Sequence, residues 1–224
     1  MNLDLEYFEK FKILIGCDEV GRGPIAGPVV GCAVRVDVKD KDILEVLSEL
    51  KVTDSKKLTD KKRAAILQAI GIEVDKLHVN KSYQIKIGKY QASFSLFEHT
   101  HLEIDQMNIL QASLSAMKSA SENLLNSNER DETLVMVDGN KKLAVKCECE
   151  PIVKGDSKSI VIGIASIIAK NFRDEKMKQY CKKYPGYGLS KHAGYPTSFH
   201  REAVKELGPS PIHRKTFKGV KEYI

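Results

Sequence analysis

Two apolar runs that end on acids give this chain its frame. Ile13-Leu14-Ile15 leads through Gly16-Cys17 into Asp18-Glu19, and Leu134-Val135-Met136-Val137 leads into Asp138-Gly139. Short apolar, β-branched runs closed by glycine turns predict buried strands. A buried strand finishing on a carboxylate before a turn is where a parallel sheet places its chemistry. The run 28–38, also rich in valine, predicts a second strand beyond the glycine turn that follows Glu19. Ile43 to Leu47 predicts a short helix, and Thr59 the N-cap of a helix over 60–70, after the polar loop Asp54-Ser55-Lys56-Lys57-Leu58. From 72 to 97 the pattern alternates, as in Tyr90-Gln91-Ala92-Ser93-Phe94, and predicts strands, with 77–89 a surface hairpin or loop. A helical period follows over 102–125, with Leu102, Ile109, Leu110, Leu114, Met117 and Leu124 on one face, so His99 and His101 fall in a loop before it. The stretch 147–153 predicts another strand. A long helix then spans about 159–182 and packs Ile160, Ile164, Ile167, Ile168 and Ala169 across the sheet.

The acids carry the candidate chemistry. A carboxylate at the end of a buried strand costs several kcal/mol unless something compensates it. A hard divalent cation would, because paired acids that repel when empty become oxygen ligands when filled. On spacing alone, Asp18 and Glu19 read equally as solvated residues opening a Gly/Pro turn. The P-loop template fails because Arg22-Gly23 stands where Lys then Ser/Thr belongs, and the dinucleotide template fails at Ala26. Adjacent strand residues point to opposite faces, so Asp18 and Glu19 can share an ion only if the strand twists or ends there, which Gly16 and Gly21 would permit. Asp156, in Lys154-Gly155-Asp156-Ser157, stands where a helix macrodipole favours an acid anyway, and Asp174 is its rival as a further ligand.

Composition narrows the partner. The 224 residues suffice for one main domain, with 42% hydrophobic and 29% charged residues, an ordinary globular balance. A net charge of +6 favours a polyanionic partner. Tyr184, Tyr187, Tyr195, His200, His213 and Arg214 interleave rings and cations over 183–217, as nucleic-acid surfaces do, although such rings also fill gaps between helices. Five cysteines form neither a disulfide framework nor a zinc pattern and read as reduced thiols of a cytoplasmic chain. The acidic N-terminal segment lacks a signal-peptide pattern, and no apolar run reaches membrane-spanning length.

Taken together, Asp18-Glu19-Val20-Gly21-Arg22-Gly23-Pro24, Asp54-Ser55-Lys56-Lys57-Leu58, Asp138-Gly139, Lys154-Gly155-Asp156-Ser157 and Ser210-Pro211-Ile212-His213-Arg214, in that order, resemble bacterial ribonuclease HII over nearly the whole chain. The resemblance implies an α/β fold: a ribonuclease H-like mixed sheet flanked by helices over 1–182, and a small helical C-terminal region over 183–224 that completes the substrate surface. It implies Asp18, Glu19, Asp138 and Asp156 as catalytic metal ligands for Mn2+ or Mg2+. Gly21, Arg22, Gly23, Ser55, Lys56, Lys57, Lys154, Tyr195, His213 and Arg214 would meet the substrate, with Tyr195 matching the tyrosine of a Gly-Tyr-Pro-Thr-like segment. The implied reaction is hydrolysis on the 5′ side of ribonucleotides in RNA/DNA hybrids, or of single ribonucleotides within duplex DNA, by two-metal-ion attack of water. It leaves 3′-OH and 5′-phosphate ends. Backbone groups of the Gly21 to Gly23 turn would read the 2′-OH. A monomer without a membrane partner is expected. The segment 77–89 exceeds the usual family length, and the Arg22 turn without an evident extra N-terminal domain favours ribonuclease HII over HIII. A junction resolvase-like nuclease and a non-catalytic nucleic-acid-binding protein are the alternatives.

Overall fold

The computed structural model describes residues 3–224. Six strands, β1 (Ile13–Val20), β2 (Val29–Asp37), β3 (Lys81–Ile87), β4 (Tyr90–His99), β5 (Thr133–Asp138) and β6 (Glu148–Ile152), form one sheet in the order β3-β4-β2-β1-β5-β6. β1 to β4 pair antiparallel, whereas β5 lies parallel to β1 and β6 parallel to β5, so the sheet is mixed as expected. The helices are α1 (Leu3–Tyr7), α2 (Ile43–Glu49), α3 (Asp60–Ala69), α4 (His101–Met107), α5 (Ile109–Glu122), α6 (Ile160–Lys183), α7 (Leu189–His192) and α8 (Ser198–Leu207).

Alternation along β1 and β5 divides the core. Leu14, Leu134 and Met136 pack with Ile162, Ile164, Ile167 and Ile168 of α6 on one face, while Ile15, Cys17, Val135 and Val137 pack with Met117 and Ala120 of α5 on the other. Each fully buried isoleucine contributes about 1.5–3 kcal/mol, which fixes α6 against the sheet. Gly16 makes that approach possible: a Cβ there would stand 2.6 Å from the Ile162 backbone nitrogen. Its bare α-carbon therefore serves helix packing rather than the expected strand distortion.

Two expectations change and a third is made specific. The helix over 102–125 is two helices, because Asn108, at φ 70°, ends α4 while its side chain accepts hydrogen bonds from Leu110 and Gln111 at the start of α5. The break turns Leu102 off the apolar face, where it is 55% exposed. His99 is not in a loop but ends β4, buried, with its ring between Glu103 and Ser115, and His101 opens α4. Segment 77–89 does form a surface hairpin, with β4: most of it supplies β3, which extends the sheet at its edge and packs Ile85 into the main core. At the other terminus Asp4 is buried, its carboxylate accepting from the Ile160 amide at 2.7 Å and the Ser159 hydroxyl at 2.5 Å. It thus caps α6 from the far end of the chain. Among the described residues no helix is long and apolar enough to cross a membrane.

Candidate active site

The parallel register sets Cys17 opposite Val137, so Asp18 and Asp138 occupy the next position on adjacent strands, about 4.8 Å apart in the pairing direction. Both point to the face that carries α6. Asp18 is 7% exposed, accepts from the Glu19 amide at 2.7 Å and is met by the Ser166 hydroxyl of α6. Asp138 accepts from the Gly155 amide at 2.7 Å, which ties β5 to the turn carrying Asp156. Glu19 lies beyond the last paired residue of β5, where the sheet edge frees its side chain to approach Asp138 while Arg22 reaches it at 3.4 Å.

The electrostatics record crowding. Burial pushes the Asp18 carboxyl well above its usual range, and the neighbouring charges of Glu19 and Asp138 add to the rise. Glu19 is raised by burial and Asp138, against the lowering pull of Arg22 and Lys56. Asp156 is raised to about 6 by burial, then by Asp138 and Asp54. Asp174, the rival for the last place, is instead engaged by Lys170 at 2.7 Å and Arg63 at 3.4 Å. The donor set is hard carboxylate oxygen, which suits a divalent cation such as Mg2+ or Mn2+. Among the described residues no three His, Cys, Asp or Glu side chains are already drawn into a metal-holding cluster. Asp18, Glu19 and Asp138 each take a protein donor instead.

A cleft of about 380 Å³ opens beside these strand ends, lined by Asp18, Glu19, Ser55, Lys56, Ser166, Lys170 and Tyr195 among others. Ser55 is buried and meets the Ser166 hydroxyl at 2.9 Å, whereas Lys56 and Lys57 are exposed and only Lys56 lines the cleft. Lys154, exposed at φ 58°, begins the turn before Asp156 and does not line it. Tyr195 is 38% exposed, and its ring approaches Gly23 so closely that a Cβ there would stand 3.1 Å from it.

His213 and Arg214 do not reach the surface where direct substrate contact was expected; they are 1% and 0% exposed. Gly21, at φ 100°, ends β1 and starts the turn. Arg214 sits inside that turn and donates to the carbonyls of Gly21, Arg22, Pro24 and Gly27. Arg173 of α6 donates to those of Ala26, Pro28 and Ala193. Burial lowers Arg214 to about 9 and Arg173 to about 10, so both stay cationic at neutral pH. His213 joins a buried chain. Its Nδ1 accepts from the Ser210 amide, which assigns the proton to Nε2 and directs it to His200 Nε2 at 3.0 Å; His200 Nδ1 donates in turn to the Tyr195 carbonyl at 2.9 Å. Burial holds both rings at about 4, so they are neutral.

Sequence reasoning missed Ser166, Lys170 and Arg173 as neighbours of the site. One signal was available: Ser166, Lys170 and Asp174 recur every four residues, a polar stripe that begins within the apolar first half of the helix.

Comparison with known proteins identifies a family. A family model described as Ribonuclease HII matches residues 15–220. A ribonuclease HII from Francisella tularensis subsp. tularensis (strain WY96-3418) is 42% identical over 208 residues, covering 93% of this chain and 96% of that protein. The crystal structure of ribonuclease H2 from Pyrococcus horikoshii OT3 superposes with a TM-score of 0.65 at 26% identity, over 94% of this chain and 96% of that one. Bst-RNase HIII in complex with Mn2+ superposes with a TM-score of 0.69 at 19% identity, over 98% and 71%, a likeness of fold. With matched sequence spanning both acid-ended strands, the glycine turn and the C-terminal Arg214, the chain belongs to the ribonuclease HII family of type 2 ribonuclease H endoribonucleases.

Proposed function

We propose that this endoribonuclease hydrolyses the phosphodiester on the 5′ side of a ribonucleotide, in RNA/DNA hybrids and at single ribonucleotides within duplex DNA, leaving 3′-OH and 5′-phosphate ends. The observation that carries the reading is the side-by-side placement of Asp18 and Asp138 on adjacent strands, beside a cleft that Tyr195 borders. Asp18, Glu19, Asp138 and Asp156 are the residues that would hold Mg2+ or Mn2+. The ribonuclease HIII neighbour, whose crystal structure is a complex with Mn2+, supports the choice of a divalent cation. When bound, the divalent ions supply activation of water and neutralisation of the departing 3′ oxygen.

The chain's own residues bind and orient. Asp138 is held by the Gly155 amide, and Asp18 by the Glu19 amide and Ser166, which fixes two carboxylates on rigid strand ends. Lys56 and Arg22 bracket the acids and meet phosphates of the duplex. The Gly21 to Gly23 turn meets the ribose 2′-OH, the group that distinguishes RNA from DNA, and the Tyr195 ring flanks the neighbouring sugar. Lys57 and Lys154 belong to the outer electrostatic surface, and Ser55 supports Ser166 and Lys56. Residues 1–182 form the catalytic domain and 183–224 the extension that carries Tyr195. The protein works as a monomer in the cytoplasm.

The test is a duplex with one internal ribonucleotide, run beside its all-deoxy control with Mg2+ or Mn2+ and again with a chelator. A single cut 5′ to the ribonucleotide, lost on chelation, is expected. Equal cutting of the all-deoxy duplex would falsify the substrate assignment.

A further inference from the structure

The glycine turn holds a cation at its centre. Arg214 donates from Nη2 to Gly21 O at 2.6 Å, from Nη1 to Arg22 O at 3.1 Å and Pro24 O at 2.7 Å, and from Nε to Gly27 O at 3.0 Å. No carboxylate shares in this arrangement, so the guanidinium is used entirely to draw carbonyls inward. Across a trans peptide the C=O and the following N–H point in opposite directions, and the described residues contain no cis bond. Pulling the carbonyls of Gly21 and Arg22 toward Arg214 therefore turns the N–H groups of Arg22 and Gly23 away from it. Both residues are exposed, while Gly21 and Pro24 on either side are buried. Among the described residues neither N–H has a protein acceptor, although two others further along the turn do: Ile25 donates to Gly194 O and Gly27 to Ile212 O, both at 2.9 Å. Gly23 packs beside the Tyr195 ring and the Arg22 side chain reaches Glu19, and both Tyr195 and Glu19 line the cleft, so the two free donors belong to a turn at its border.

We infer that Arg214 is a specificity-positioning residue: by fixing the carbonyls of the Gly21 to Gly27 turn from within, it sets the Arg22 and Gly23 amides as outward donors to an oxygen on the substrate sugar. This rests on the proposed reading of the turn as the 2′-OH site and names the residue that gives the site its geometry. Lysine cannot replace it, because an ammonium offers three donors from one point where the fork spans four carbonyls. The Phe217 ring, 5.0 Å from the guanidinium, holds the fork in plane.

The test measures binding in the Asp138→Asn background, so that no cleavage intervenes. Affinities are taken for a duplex with one ribonucleotide and for its all-deoxy twin. In the background protein the ribonucleotide duplex is expected to bind tighter. Adding Arg214→Lys should bring that preference down about tenfold while leaving all-deoxy affinity, set by phosphate contacts, within about twofold. Adding Val204→Ala instead loosens the same C-terminal core without touching the turn carbonyls, and should leave the preference intact. An undiminished preference in Arg214→Lys overturns the inference, as does equal loss on both duplexes. If Arg214→Lys does not fold, Phe217→Leu keeps the arginine but loosens it, and a preference unchanged there is equally fatal. Equal affinity for the two duplexes in the background protein itself rejects the 2′-OH reading of the turn, a failure distinct from that of Arg214.

Discussion

Two charge clusters of opposite sign lie at the end of β1 and in the turn that follows it, and they are built on opposite principles. At the ends of β1 and β5 and in the turn after β6, carboxylates crowd together: burial raises Asp18, Glu19 and Asp156, and the charge of Asp138 beside them adds to each rise. Inside the turn that follows β1, Arg173 and Arg214 bury two guanidinium groups, yet seven carbonyls of the chain receive them. The anionic cluster lacks internal cations sufficient to neutralise it and calls for one from outside. The cationic cluster is satisfied and needs nothing. A strained site is a ligand site, and a satisfied one is scaffold.

Asp138→Asn should strike the comparison hardest. The amide oxygen keeps the Gly155 hydrogen bond, so the protein folds, but a metal-ligand charge is gone. Cleavage is expected to fall by about 10³-fold or more while duplex binding persists. Near-normal cutting with Mg2+ or Mn2+ would remove Asp138 from the catalytic set. On the scaffold side, Arg173→Met leaves the carbonyls of Ala26, Pro28 and Ala193 buried without donors and should cost about 3–5 kcal/mol in urea unfolding. A loss below about 1 kcal/mol would mean the turn holds itself.

The pH dependence sharpens the contrast. Asp156 titrates near 6 when folded against 3.8 in its unperturbed state. Between those values the native protein binds the extra proton, so this group's contribution to stability is full below about pH 4 and is lost as pH rises through 6. Asp156→Asn should therefore match the metal-free parent at pH 4 and exceed it by about 1 kcal/mol at pH 7.5, a figure reduced for solvent screening. Mg2+ should narrow that gap by stabilising the parent. A thermal melt series with and without the ion reads both, and identical curves at every pH would show that Asp156 carries no strain. The smallest effect belongs to the exposed rim: Lys56→Ala should leave stability within about 0.5 kcal/mol and lower the salt slope of duplex binding by about one.

Much of this was legible from one dimension. The pairing of Asp18 with Asp138 follows from two apolar runs with the same ending, because a parallel neighbour in register must bring equal endings together. The helix over 159–182 was equally plain, since its isoleucines repeat at the helical period. Other features were hidden. The break at Asn108 interrupts no apolar pattern, so the segment read as one helix until the backbone turned there. His213 and Arg214 read as surface chemistry because a cation beside aromatics has the same composition whether it faces a phosphate or a carbonyl.

The sequence by itself determined the strands, the long helix and the acids they deliver, because burial and periodicity are written in side-chain type. Only the tertiary structure decided what Asp4, Arg173, His213 and Arg214 do. Their partners are chiefly backbone N–H and C=O groups or distant side chains, and since nearly every residue carries the same backbone groups, no residue type marks which will be used.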